Sequence, residues 1–356
     1  MYVTLEFLNF SNTSTSMKKL KYLLLGIGIF LSGTVKMNAQ DYKELYTEAD
    51  LATLRNYEDS IDILSGLMLH DTVANSRFLS CKYIIKHLVQ ALKVDNSFQY
   101  PFPQLNRISI QYPEDSSFRV FTWQLYVDAN EYRYFGAIQL NSKSLQLIPL
   151  SDRSANIINP EQTVTTNKEW FGAIYYNIMQ VDSKEHGRYY MLFGFDANSF
   201  FVRRKLIDVL QIKDNKAHFG LPVFTIPPDI LEEKKKIAEY NASVPEGNRI
   251  KISDAEILAR QGEGEILNRF VVTYSAEASA ILNYDPEYDL ILLDNMIEAG
   301  GNYPGQGQVY VPDGSYRGFK LQGDGTWLQI EKVFNDFQET APRPAPLNRP
   351  NRLNVD

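Results

Sequence analysis

The sequence predicts an α+β protein: an N-terminal helical pair packed on a mostly antiparallel β body with a helical insertion. Three observations carry that expectation. Apolar residues recur at steps of three and four over residues 41–94, the spacing of one helix face. From about Pro103 the pattern changes to short aromatic and β-branched runs separated by turn residues. Charged, helix-prone sequence then interrupts those runs at 227–266. An aromatic content of 13%, with 22 Tyr and 20 Phe, also favours a β-rich body.

Ahead of these elements lies a leader, residues 1–39. Met17 is followed by Lys18, Lys19 and Lys21, then by an uncharged, mostly apolar run to Val35. Its most apolar part, Tyr22 to Leu31, is about ten residues, right for a signal-peptide core and too short to span a bilayer as a helix. Met37-Asn38-Ala39 places a small residue at the expected cleavage position, so the mature chain should begin near Gln40. Met1–Ser16 reads as sequence upstream of a true start at Met17; a genuinely long leader is the other reading. An uncleaved anchor is disfavoured because Gly26, Gly28, Ser32 and Gly33 interrupt the run. The expected location is the periplasm or the extracellular space, with no transmembrane segment left after cleavage.

Removing residues 1–39 from the 356 leaves 317, ample for a buried core. The net charge of −7 becomes −10, because the leader carries Lys18, Lys19, Lys21 and Lys36 against Glu6. An acidic chain without a basic block suits neither nucleic acid nor an anionic membrane surface. An unknown envelope or extracellular partner is expected instead. The one dense basic run, Arg203-Arg204-Lys205, falls in a strand-like segment and should face solvent. The single cysteine, Cys81, excludes an internal disulfide. It sits among Phe78, Ile85 and Leu88 at helical spacing, as a small buried hydrophobe would.

The helical region is 40–100. Leu54, Tyr57, Ile61, Leu64 and Met68 form one stripe, with Arg55, Glu58, Asp59 and Asp62 on the other side. His70-Asp71-Thr72 breaks the pattern, and Asp71 or Thr72 could cap a second helix. That helix carries Phe78, Cys81, Ile85, Leu88 and Leu92. A short connection predicts antiparallel packing of the pair.

The β body spans 101–338. Its first strands are expected at 107–112, 118–127, 132–140 and 145–150. A second set is expected at 170–181, 188–196 and 200–212. A third is expected at 269–275, 279–284, 290–293, 309–311, 315–321 and 327–333. Asp214-Asn215, Asp313-Gly314 and Gly323-Asp324-Gly325 punctuate them as turns. Within the insertion, Asp229–Tyr240 is helix-prone, and Ser253-Asp254-Ala255-Glu256 is a capping box opening a short helix to about Gln261. Residues 339–356 form a Pro-rich tail, expected to be extended and disordered.

Tyr134-Phe135-Gly136-Ala137-Ile138 is echoed by Trp170-Phe171-Gly172-Ala173-Ile174. Two such copies suggest two strands in similar roles, each Gly letting a large ring pack across it. The segments Phe118–Trp123, Tyr134-Phe135-Gly136 and Val311–Tyr316 resemble uncharacterised secreted proteins of Gram-negative bacteria. The likeness covers most of residues 41–335. It implies an envelope location and carries no activity or catalytic residue.

Chemistry is sparsely signalled. His70, His87, His186 and His218 are scattered, and no pair has metal-binding spacing. No Gly-x-Ser-x-Gly elbow occurs. Gly300, Gly301, Gly305 and Gly307 read as a flexible loop rather than a phosphate cradle. The one ion the sequence suggests is a structural Ca²⁺ at Asp285, Glu287 and Asp289. These acids alternate, and an extended backbone would place them on one face. An exposed acidic turn is the plainer reading of the same residues. Trp123, Tyr126, Tyr132 and Tyr134 form an aromatic patch, suited to cross-strand core packing and also to glycan stacking.

Two functions fit these features. The first is an exported, soluble, non-catalytic protein that binds or organises an envelope component. The alternative is an exported hydrolase whose site assembles from distant loops. The leader generates a direct prediction. N-terminal sequencing of protein from its native host should find a chain beginning near Gln40, and an intact Met1 or Met17 terminus would sink the export assignment.

Overall fold

A computed structural model describes residues 45–227, 230–253, 264–303, 306–331 and 333. The chain divides into Met1–Thr47 and Glu48–Asp356, and the described helices and sheets belong to the second unit. The leader, most of the 253–261 helix and the Pro-rich tail lie outside the described residues.

Helices α1 (Glu48–His70) and α2 (Ala74–Leu92) pack against each other across a three-residue connection. Their buried stripes are rotated slightly from expectation. In α1, Leu54, Ile61 and Met68 are buried as predicted, but Glu58 and Ser65 are buried with them. In α2, Ile84 and Ala91 take buried seats while Ile85 remains exposed. Glu58 turns inward because the connector after α2 supplies donors: Tyr100 OH at 2.5 Å and the Gln104 amide at 2.7 Å. The N-cap of α2 is Val73, without a side-chain cap. Asp71 serves the turn instead, accepting from the Val73 amide and the Ser76 hydroxyl.

Three sheets make up the β body. The first is β1 (Ser109–Gln111), β2 (Phe118–Asp128), β3 (Glu131–Leu140) and β4 (Leu147–Ser151), in that order and antiparallel. The second runs β5 (Thr165–Thr166), β9 (Lys216–Phe219), β8 (Val202–Lys213), β7 (Gly187–Asp196) and β6 (Ile174–Ser183), with β12 (Phe270–Ser275) also paired to β8. The third runs β11 (Glu265–Leu267), β10 (Phe224–Ile226), β16 (Trp327–Ile330), β15 (Gln308–Leu321), β14 (Leu290–Gly300) and β13 (Leu282–Asp285). Among the described strands, β10 and β16 are the parallel neighbours. The other described strand pairs are antiparallel, and an isolated parallel bridge joins Asp152 to Trp170.

Alternation along the strands builds two cores. Tyr190 and Leu192 of β7 face the first sheet, with Phe118, Val120 and Ile138 opposite. Tyr189, Met191 and Phe193 face the third, against Ile291, Phe319 and Trp327. The second sheet is therefore apolar on both faces, since side chains alternate in direction along a strand. On β2, Arg119, Phe121 and Trp123 point away from the second sheet, toward the helices and the connector.

Several turns obey their local chemistry. Asp214 and Asn215 both take positive φ between Lys213 and Lys216, the two-residue hairpin that such residues permit. Asp313-Gly314, by contrast, is not a hairpin turn. β15 continues through it, and the β14–β15 register shifts there between Asp294 and Met296. The extra residues are absorbed as a bulge, with Gly314 at φ +89° and the Ser315 amide on Asp313. The Gly-rich stretch closes this same hairpin, the Gly301 amide donating to Gly307 O. Arg203-Arg204-Lys205 is half-buried rather than solvent-facing. Arg203 binds Ala197 O, and Lys205 lies over the Tyr176 ring. The echoed copies meet directly: a side chain on Gly172 would collide with the Tyr134 ring. Gly136 is held instead by Phe121 O and Leu150, and Gly172 precedes its strand rather than lying in it.

Arg119 ties the connector to β2. It is fully buried. Nε donates to Gln139, Nη1 to Tyr100 O and Tyr112 OH, and Nη2 to Ser97 O, at 2.6 to 2.8 Å. Four rings lie 4.8 to 5.8 Å from its Cζ. Arg119→Leu should therefore lower the urea-unfolding free energy by about 2–4 kcal/mol, and Arg119→Lys should recover only part of it because an ammonium cannot present the fork. A loss within about 0.5 kcal/mol, the range of ordinary surface changes, would contradict this role.

Candidate functional site

Two concavities stand out. The larger, about 270 Å³, opens where the start of β2 and the end of β3 meet β7 and β8, and Ser117, Phe118, Leu140, Arg188, Tyr190 and Ile212 line it. Its polar side is one network. Tyr190 OH donates to Asp115 Oδ2 at 2.8 Å, and Ser117 Oγ lies 3.1 Å from that phenol. The phenol proton is committed to Asp115, so Ser117 is the donor of that pair. Arg188 Nη1 reaches Asp115 Oδ2 at 3.0 Å, while its Nε binds Asp182 at 2.6 Å. The Ser117 amide donates to Asp115 Oδ1 at 3.0 Å.

The electrostatics of the cleft reflect this pairing. Partial burial works against the Asp115 carboxylate, but Ser117, Tyr190 and Arg188 outweigh it and hold its pKa below the usual carboxylate range. Burial, then the neighbouring Asp115, pushes the Tyr190 phenol upward. A serine nucleophile needs a base within reach. Ser117 has beside it a protonated phenol and the Asp115 carboxylate, which Tyr190 and Arg188 also bind.

The second cavity, about 170 Å³, lies between α2 and strands β2–β4. Leu88 and Leu92 form its helical wall; Trp123, Phe135, Ala137 and Pro149 form the sheet side. Trp123 and Phe135 stack at 5.9 Å with planes 15° apart. The buried Trp123 Nε1 has no oxygen or nitrogen acceptor. It reaches only Cys81, whose buried thiol is pushed up to about 11 by desolvation and stays neutral. Cys81 is thus the small hydrophobe expected.

A third polar cluster is enclosed in the core. Arg269 Nε and Asp208 Oδ1 are 2.9 Å apart, both groups fully buried. Tyr175 OH donates to Asp208, Trp170 Nε1 donates to Tyr175, and Arg269 Nη1 donates to Pro160 O. Burial raises the Asp208 pKa against the pull of Arg269. With no opening onto it, this network is structural, as buried ion pairs commonly are.

Of the three predicted acidic residues, Asp285 lies on extended backbone and Glu287 and Asp289 do not. β13 ends at Asp285, residues 286–289 form a turn, and Asp289 has φ +51°. Asp285 accepts the Glu287 amide at 2.9 Å, and Asp289 accepts Tyr284 OH at 2.7 Å. Asp294 is separate and buried, accepting the Ile281 amide. Among the described residues no three His, Cys, Asp or Glu side chains converge as metal ligands would. The geometry is that of the exposed acidic turn, because a four-residue connection between paired Asp285 and Leu290 cannot stay extended. His87 sits beside the Tyr57 and Tyr83 rings. The aromatic patch is split: Trp123 faces the helices, Tyr134 lies in the core between sheets, and Tyr132 packs against that core.

No family model, curated protein or solved structure matches this chain. The cleft residues were not foreseeable from spacing, since Asp115 and Tyr190 are 75 positions apart.

The Asp115 network fixes a pH response. Its depressed pKa means its stabilisation is complete above its unfolded value, near about 3.9, and is lost as pH falls through the lower folded value. Asp115→Asn should cost about 1–2 kcal/mol at pH 7. In urea titrations the gap between wild type and variant should close from about pH 4 downward. A gap independent of pH would contradict the assignment.

Proposed function

We propose that this is an exported, soluble, non-catalytic protein that binds or organises an envelope or extracellular component, in the periplasm or outside the cell. The leader and the acidic mature chain support export and speak against nucleic acid as partner. Among the described residues no helix is long and apolar enough to cross a membrane. The observation that supports the non-catalytic reading is the pairing inside the polar cleft. Asp115 accepts from Tyr190, Ser117 and Arg188 at once, and these partners lower its pKa and make it a weak base. Residues 227–266 belong to this proposal as a helical insertion, of which helix α3 (Ile230–Ser243) is the described α-helix.

The competing reading, an exported hydrolase, would use Ser117, the hydroxyl that lines the open cleft. Incubating the full chain with p-nitrophenyl acetate and butyrate separates the two. Turnover is expected to equal that of Ser117→Ala and of buffer. Catalytic ester turnover that disappears in Ser117→Ala would overturn the non-catalytic reading.

A further inference from the structure

We infer that the outer face of the α1–α2 hairpin pairs with the same face of a second copy of this chain, in a two-fold dimer that lays α1 of each copy on α2 of the other. The inference goes beyond the role argued above and does not depend on it.

The first argument is the surface itself. The buried stripes of α1 and α2 are spent on each other and on the first sheet. A second apolar stripe lies on the outside. Ile63 is 67% exposed, Leu67 46%, Leu79 45% and Tyr83 46%. Ile63 and Leu67 are four apart on α1, and Leu79 and Tyr83 are four apart on α2, so each pair is adjacent on its helix surface. Tyr83 lies beside the His87 ring and His87 beside Tyr57 of α1, so the α2 stripe borders α1. Scattered exposed apolar residues are ordinary, but a contiguous group on neighbouring helices marks an interaction surface.

The second argument is charge, and it selects the partner. Helix α1 carries five acids and one arginine, whereas α2 carries Arg77, Lys82 and Lys86 and no acid. A hairpin with one acidic and one basic helix is complementary to itself. Two such faces can stack about a two-fold axis that runs across the helices or along them. An axis across them sets the acidic helix on itself and the basic helix on itself. An axis along them sets α1 on α2 of the partner subunit, antiparallel, as in four-helix bundles.

The third argument is register. An axis along the helices keeps each residue's distance from the connecting turn. Asp59 stands 13 residues before Thr72, and Lys86 stands 14 after it. Asp59 therefore comes to the level of Lys86 of the partner subunit, Ile63 to the level of Tyr83 of the partner subunit, and Leu67 to the level of Leu79 of the partner subunit. Asp59 and Lys86 are both exposed, and among the described residues neither forms an ion pair within its own chain. Area is the fourth argument. Two helices side by side are about 20 Å across and about 28 Å long, so covering this face on both copies buries about 1,100 Å², above the about 1,000 Å² that a specific interface needs.

Sedimentation equilibrium on the full chain, from micromolar to a tenth of millimolar, tests the inference, with circular dichroism to show that each variant is folded. Wild type should show a monomer–dimer equilibrium and no larger species. Ile63→Glu and Leu79→Glu should each weaken the dimer at least about tenfold, because a two-fold axis counts every substitution twice. Asp59→Lys should weaken it about tenfold, and adding Lys86→Asp to the same chain should restore it. That exchange touches only exposed charges, so it decides the matter should a glutamate variant fail to fold. A wild type that stays monomeric, whether its face is bare or covered by another segment of the chain, would overturn the dimer. A dimer that folded glutamate variants leave unchanged would overturn this surface. A dimer weakened by Asp59→Lys and not restored by Lys86→Asp would overturn the laying of α1 on α2.

Discussion

The guanidinium of Arg119 has been taken out of water, which costs several kcal/mol unless its donors are met. They are met by the neighbouring strand and by the connector after α2, which the strand pairing does not otherwise hold. Ser97 and Tyr100 belong to the connector after α2, Tyr112 to the stretch after β1, and Gln139 to β3. Tyr100 extends the chain of contacts, because its hydroxyl donates to Glu58 on α1. One buried cation on β2 thereby holds the helical hairpin to the first sheet.

The second sheet plays a different part. With core on both faces, its middle is closed to solvent, and the polar cleft opens at its ends. Arg188 lies near the start of β7, and Ile212 near the end of β8. The polar groups that do remain central, Asp208 and Arg269, neutralise one another. They add specificity to the packing rather than reactivity.

Much of the architecture was legible in the sequence, because periodicity reports which face is buried. The helical pair, the first-sheet strands and the Asp214-Asn215 hairpin all conform to their local patterns. What local pattern could not show was set by distant partners. Glu58 is polar by type and buried by virtue of Tyr100 and Gln104. Ile84 is buried and Ile85 exposed, one position off the stripe the spacing predicts. Asp313-Gly314 has turn chemistry, yet its neighbours on β14 keep the strand running and convert it to a bulge. The acidic run at Asp285 alternates in sequence, but strand pairing between Asp285 and Leu290 forces the residues between them to fold back. The polar cleft was invisible for the same reason: Asp115, Ser117 and Arg188 become neighbours only after two sheets pack face to face.

Strands β10 and β11 pair so that Ile226 lies opposite Glu265. Gly264 has φ +94°, and a side chain there would run into the Ile226 carbonyl. The 38 residues between Ile226 and Glu265 therefore leave and rejoin the body through one fixed doorway. Closing such a loop becomes harder only logarithmically with length, by about 0.6 kcal/mol per doubling. Length changes inside this excursion thus weigh lightly on the sheets that carry it. It is the place in the chain where evolution, or an engineer grafting a foreign module, can experiment while the rest of the fold stays unaware.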